Sequence, residues 1–214
     1  MLDTNLPRKK IFMRLPTAEL EHVPAPILPP GYWFATYTPG RCEDWARVET
    51  RVGEFSSTEA AVEYFRLVFL AHPDLARKHV QFVFNPAGVA VATASAWFGY
   101  AGDGTRVPTL HWVAVDPAEQ GRGIGRAVCA QALRCWQGRG QDVWLTTQTW
   151  SHVAVGLYHS LGFRLSTDAA FRYDAVENGR LLVRESPNEY AEAVAVLEQV
   201  MDPELLEEMT RAAC

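Results

Sequence analysis

Gly121, Gly123 and Gly125, interleaved with Arg122, Ile124 and Arg126, follow an apolar Val113-Ala114-Val115 run and a turn marked by Asp116-Pro117. This pattern predicts a strand, a tight turn and a glycine-rich helix start. The first backbone N–H groups of a helix have no partner within it and sit at the positive end of its dipole, so they attract phosphate oxygens. Glycines let those oxygens approach, and Arg122 and Arg126 add mobile positive charge. Three phosphate loops share such a composition. A P-loop requires Lys-Ser/Thr after its last glycine, whereas Gly125 is followed by Arg126-Ala127. A dinucleotide fingerprint requires G-x-G-x-x-G directly after a strand, and here G-x-G-x-G follows an intervening turn.

The remaining pattern, Q/R-x-x-G-x-G/A, is matched by Gln120, Gly123 and Gly125, and it resembles the pyrophosphate loop of the GCN5-related N-acetyltransferase superfamily. A second block about 30 residues downstream strengthens the resemblance. Ala154, Leu157, Tyr158, Gly162 and Phe163 match the superfamily's N-x-x-A-x-x-L-Y-x-x-x-G-F segment, with Ser151 where Asn is usual. By its own spacing this segment predicts a helix with apolar residues at 154, 157, 158 and 161, Ser151 as N-cap and Gly162 as its stop.

The resemblance implies an acyl-CoA-dependent N-acetyltransferase in which an amine attacks the acyl thioester directly, with acetyl-CoA the donor and no metal. The implied cofactor set is Val113 and Val115 through backbone groups, residues Gln120, Gly121, Arg122, Gly123, Ile124, Gly125 and Arg126 at the phosphates, and Ser151. The reaction needs a base, because an alkylamine with a pKa near 10.4 is mostly cationic at neutral pH. It also needs a donor for the leaving thiolate, which the resemblance assigns to Tyr158. Two bases are open. His111, in Leu110-His111-Trp112, has the ordinary imidazole range and resembles the His-bearing strand of arylalkylamine N-acetyltransferases. Glu54 lies between two helices, on a connection that in the superfamily borders the acceptor pocket, so the resemblance implies that it orients an ammonium or acts as a remote base. Trp33, Trp97, Phe98, Tyr100 and Trp150 are candidates for the acceptor pocket or for the core. Two alternatives share every motif: a non-catalytic acyl-CoA-binding module, and an O-acyl or longer-chain acyltransferase.

The elements that must position these residues read as an α/β (α+β) chain. The resemblance implies a mixed, splayed sheet flanked by helices over residues 32–176, preceded by a leader and Pro-rich linker (1–31) and followed by an acidic helical C-terminal extension (177–214). Strands are predicted at 32–38, 80–84, 89–97, 109–115, 142–147, 163–165 and 170–176, and helices near 43–52 and 56–70. In the extension, Ser186-Pro187-Asn188-Glu189 and Asp202-Pro203 each mark a helix start. The apolar positions Tyr190, Val194, Leu197 and Met201 must pack on their own domain or on a second subunit, and dimers are common in the superfamily.

Composition sets the outer limits. At 214 residues and 48% hydrophobic, the chain can bury a sizeable core. Residues 185–214 carry eight acids against one arginine, so the net charge of −5 divides into −7 for the tail and +2 for the body. A nearly balanced body suits an anionic cofactor but lacks the concentrated basic surface of a nucleic-acid binder. No apolar run is long enough for a membrane span or a signal-peptide core, and the four cysteines show neither metal spacing nor a disulfide framework. The expectation is a cytoplasmic enzyme acting on a small-molecule or protein amine, with neither nucleic acid nor membrane as partner.

Overall fold

The computed structural model describes residues 2–168, 171–177 and 179–214. In chain order it contains β1 (Lys10–Leu15), α1 (Thr17–Leu20), β2 (Trp33–Thr36), α2 (Cys42–Val52), α3 (Thr58–Val68), α4 (Pro73–His79), β3 (Val80–Phe84), β4 (Ala90–Tyr100), β5 (Arg106–Val115), α5 (Ile124–Leu133), β6 (Val143–Gln148), α6 (His152–His159), β7 (Arg164–Leu165), β8 (Phe171–Glu177), β9 (Arg180–Glu185), α7 (Tyr190–Leu197) and α8 (Pro203–Arg211). The sheet runs β2-β3-β4-β5-β6-β1-β7, and the β8–β9 hairpin joins it where Leu182 of β9 pairs with Tyr100 of β4. This is the mixed, splayed sheet flanked by helices that the sequence led us to expect.

Two irregularities in this sheet create the site. Among the described residues, β5 and β6 share a single register pair, Thr109↔Trp144. Beyond it the strands diverge toward Val115 and Gln148, leaving a gap. Then, on the other edge of β5, Thr93↔Ala114 is followed by Ser95↔His111, so β5 fits three steps against two on β4. The extra residue is a bulge at Trp112, which takes a left-handed φ of +48°. Bulges bend a strand and leave backbone groups out of the ladder. A left-handed bulky residue is uncommon, and here it sits beside the gap.

Apolar side chains fill both faces. One core packs α5, α6, α7 and α8 against the sheet through Leu15, Leu133, Phe163 and Leu197, and the other packs α2 and α3 through Trp45, Phe65, Phe69 and Trp97. Local signals account for several element ends. Ser57 accepts a hydrogen bond from the Ala60 N–H at 3.2 Å to start α3, and Asp202 accepts from the Glu204 and Leu205 N–H groups at 3.0 Å to start α8.

The structure departs from the sequence reading at both ends of the chain. Residues expected in a leader form β1, which lies inside the sheet between β6 and β7. Ile11, Met13 and Leu15 of this strand are buried in the core. Near the C-terminus, Arg180–Glu185 is a strand rather than helix. Helix α7 begins at Tyr190, whose N–H is held by Asn188 Oδ1 at 2.9 Å, and not at Ser186. Its apolar face packs in cis on β1.

Candidate active site

Two cavities open along the gap. One, of about 410 Å³, runs from the start of α5 along the end of β5 to α6. The other, of about 460 Å³, lies between β5 on one side and β6 and β1 on the other, with β8 above it. They meet, because Glu54, Val113, Ser151, Ala154 and Tyr158 line both.

The first cavity ends at the uncapped, glycine-rich start of α5. Gly123 is the residue before α5, with φ +78°, and no side chain caps the helix, so its first N–H groups are left to a ligand. Gly121 has φ +76°, and a Cβ added at either glycine would meet nothing within 4 Å. These two glycines therefore serve the turn as well as access. Gly125 also lines the cavity, and a Cβ there would lie 3.2 Å from Leu157 and 3.4 Å from Val115, so this glycine lets α5 approach α6 and β5 as well. Ile124 is buried at the helix start, and Arg126 lines the cavity while donating to Ser160. Arg122 departs from its expected place. It is not among the residues that line the cavity; its guanidinium pairs at 3.1 Å with Glu119, which does line it, and donates to the Tyr32 hydroxyl at 2.9 Å. Gln120 lines the cavity, but its side-chain amide donates to the Val115 carbonyl at 3.0 Å and so ties the loop to the strand end.

At the junction, Tyr158 is 7% exposed, and burial keeps its hydroxyl protonated well above the ordinary phenol range. Ser151 stands at the N-cap of α6, as the sequence reading expected, but makes no side-chain capping bond, and it lines both cavities. Glu54 follows Gly53, whose left-handed φ of +92° ends α2 and turns the chain toward the gap. Although open to both cavities, the Glu54 carboxyl is raised above its ordinary range by desolvation, with Arg8 pulling it the other way. One helical turn earlier lies Glu49, 0% exposed and with neither carboxylate oxygen paired. Burial first, and the Glu54 charge second, push the Glu49 carboxyl well above its usual value, so it is held neutral.

The second cavity receives His111 and Trp112 from β5. The His111 Nε2 lies 3.0 Å from the Tyr64 hydroxyl, and its ring is packed among Phe69, Trp112 and Tyr173. That burial pushes its pKa down to about 3, which keeps the imidazole neutral. Tyr173 donates to Thr109 Oγ1 at 2.5 Å, and burial raises its phenol to about 12. None of the five aromatics named as pocket candidates lines this cavity. Trp97 and Phe98 are core, Trp33 stacks on Phe84, Tyr100 is buried beneath Arg106 and Arg180, and Trp150 donates to the Leu6 carbonyl at 2.7 Å. The aromatic wall comes from Tyr64, Trp112, Phe171 and Tyr173 instead. Tyr64 and Tyr173 had no local signal, since only packing of α3 and β8 over β5 brings them to His111. Glu49 did have one: it shares the apolar face of α2 with Trp45 and Val52, a carboxyl at a core position. Among the described residues no group of three or more His, Cys, Asp or Glu side chains is placed to hold a metal, and no helix is long and apolar enough to cross a membrane.

Residues 41–163, which include the glycine-rich start of α5, the bulged strand and the Tyr158 helix, match the family described as Acetyltransferase (GNAT) family. A mycothiol acetyltransferase of Thermobispora bispora is 32% identical over 172 residues, covering 70% of this chain and 52% of that protein. N-alpha-acetyltransferase RimI of Mycobacterium tuberculosis is 38% identical over 82 residues, covering 36% of this chain and 51% of the relative. The chain thus spans about half the length of these curated relatives. Among solved structures, a GCN5-related N-acetyltransferase from Sphaerobacter thermophilus shares the fold, with a TM-score of 0.53 and 22% identity over 75% of this chain and 49% of that one. A splayed sheet, a glycine-built, uncapped helix start after the bulged strand and a sequence match across both make this chain a member of the acetyltransferase (GNAT) family.

Proposed function

We propose that this chain transfers an acetyl group from acetyl-CoA to the amine of a small molecule. The observation that carries the reading is the meeting of the two cavities at Glu54 and Tyr158, one leading to an anion cradle and the other to a pocket with titratable and aromatic walls. Residues present in the first cavity fit the cofactor, because uncapped helix N–H groups and two open left-handed glycines leave room and donors for phosphate. Bound acetyl-CoA supplies an activated acyl carbonyl and a thiolate leaving group.

The chain's own groups perform the rest. Arg126 and the start of α5 hold the phosphates. Trp112 and Val113 have no register partner on β4, so their backbone groups are available to orient and polarise the acyl arm at the bulge. Glu54 accepts the proton of the incoming ammonium; partial desolvation raises its basicity toward the working pH, as a general base requires. Tyr158, kept protonated by burial, donates to the departing sulfur. With a pKa near 3, His111 is too weak a base to take an ammonium proton, so it contributes a neutral hydrogen-bonding edge fixed by Tyr64. Relatives named mycothiol acetyltransferase support a small-molecule acceptor.

The test is chromatographic measurement of CoA formed from acetyl-CoA with and without a panel of small amines. Acceptor-stimulated formation that is lost in Tyr158→Phe and Glu54→Gln supports the reading. Bound acetyl-CoA with no amine-dependent product refutes it in favour of a binding module.

A further inference from the structure

The second cavity is electrically lopsided. On the β5 side of the gap its wall is aromatic or neutral, through Tyr64, His111 and Trp112. On the opposite side, where β1 and β6 pair, it carries Arg8 and Lys10 together with Thr146 and Gln148. Lys10 and Phe12 alternate with the core residues Ile11 and Met13, so strand geometry holds both on the cavity face. Lys10 stands opposite Gln148 in register, and its backbone N–H is anchored by Glu189 Oε2 at 2.7 Å. Arg8 is laid over the Trp150 ring, 5.7 Å from its centre.

Neither cation is neutralised locally. Lys9 next door pairs with Glu189 at 3.7 Å, but no carboxylate among the described residues lies within ion-pair distance of Arg8 or Lys10. The one carboxylate among the described lining residues, Glu54, feels the Arg8 charge only at longer range. Among the described lining residues, two cations against one carboxylate leave an excess of positive charge. These cations are also outside the phosphate cavity, whose lining includes Arg126 but neither Arg8 nor Lys10.

Building on the transferase reading, we infer that the acceptor is a small amine that also carries an anionic group, a carboxylate or a phosphate, held by Arg8 and Lys10 while its amine reaches Glu54 and Tyr158. The aromatic wall covers the acceptor's body, and Thr146 and Gln148 add neutral hydrogen bonds beside the anion. A polycationic amine is disfavoured by the same two charges.

The experiment uses matched acceptors on the full chain with CoA bound: L-phenylalanine against phenethylamine for a carboxylate, and O-phosphoethanolamine against ethanolamine for a phosphate. Calorimetric Kd and, with acetyl-CoA, kcat/KM are measured for each pair at low and high salt. At least one anionic member should be preferred by about tenfold or more, the scale of a charge-assisted hydrogen bond in a partly buried site. That preference should shrink at high salt and fall toward unity in Arg8→Gln and Lys10→Gln. The responding pair distinguishes carboxylate from phosphate. Equal affinity for both members of both pairs overturns the inference, as does a preference that survives both substitutions. Anion-dependent binding with no turnover of any amine would refute the transferase reading while supporting the anion site.

Discussion

Replacing Glu49 by Gln should change how the stability of this protein depends on pH, and the structure fixes both the sign and the size. Glu49 sits on α2 with 0% exposure and two unpaired oxygens, and desolvation, followed by the Glu54 charge, keeps its proton on in the folded state. The unfolded chain releases that proton above about pH 4.3. Over the range in which the native state binds one more proton than the unfolded state, stability falls as pH rises, by about 1.4 kcal/mol per pH unit. Glutamine has the shape of the protonated acid and does not titrate, so this slope disappears. Any fixed cost of an unsatisfied amide shifts the Glu49→Gln curve without tilting it. His79, pushed down to about 4, and His111, at about 3, titrate in the opposite sense below pH 6.5, but both are present in each protein and cancel in the difference. Urea unfolding from pH 5 upward, with m-values checked for equality, should show the variant gaining on the parent by about 1.4 kcal/mol per unit. The gain stops where the native Glu49 itself begins to ionise. Parallel curves between pH 5 and 6 would show that Glu49 is charged in the folded protein and refute the reasoning. Function is tied to the same group, because a neutral Glu49 spares Glu54 a second negative charge at the cavity junction.

Three further predictions concern catalysis and cofactor binding. Tyr158→Phe keeps the ring packed against Phe163 but removes the proton donor, so kcat should drop by about 10²-fold or more with acetyl-CoA affinity retained; a loss within about threefold would return Tyr158 to a packing role. Gly123→Ala places a methyl in open space at a left-handed φ, costing roughly 1 kcal/mol of fold stability. The thermal shift produced by acetyl-CoA should shrink beyond that cost, and an undiminished shift would move the phosphate site elsewhere. For the base, kcat/KM for an amine should rise with pH along a limb set by a raised carboxyl, removed by Glu54→Gln and retained in His111→Gln. A limb near pH 6.5 that vanishes only in His111→Gln would transfer the role to His111.

Much of the cofactor side was legible in the sequence because its chemistry is local. The glycine spacing from Gly121 to Gly125, the strand before it, and the Tyr158 helix closed by Gly162 each depend on residues within a few positions of one another. Their φ values and helix ends need no distant partner. The strand and helix order from β2 to β8 followed from periodicity for the same reason, except for α4, a short helix that the sequence reading did not place. Residue types within the loop were harder to assign, since Arg122 and Arg126 read alike in sequence yet one turns to Glu119 and Tyr32 while the other lines the cavity.

The acceptor side was decided by tertiary structure. His111 could be named from its strand, but its state depends on Tyr64, Phe69 and Tyr173, which arrive from separate elements and strip away its water. Likewise, Arg8 and Lys10 belong to the cavity only because β1 inserts between β6 and β7, a long-range pairing that no local pattern specifies. The sequence by itself determined the glycine-rich start of α5, the Tyr158 helix and the family to which they belong, because backbone conformation and helix ends are set by neighbouring residues. The gap between β5 and β6, the bulge at Trp112 and the charges and burial around the acceptor were decided only by the fold, because desolvation and register arise between segments far apart in the chain.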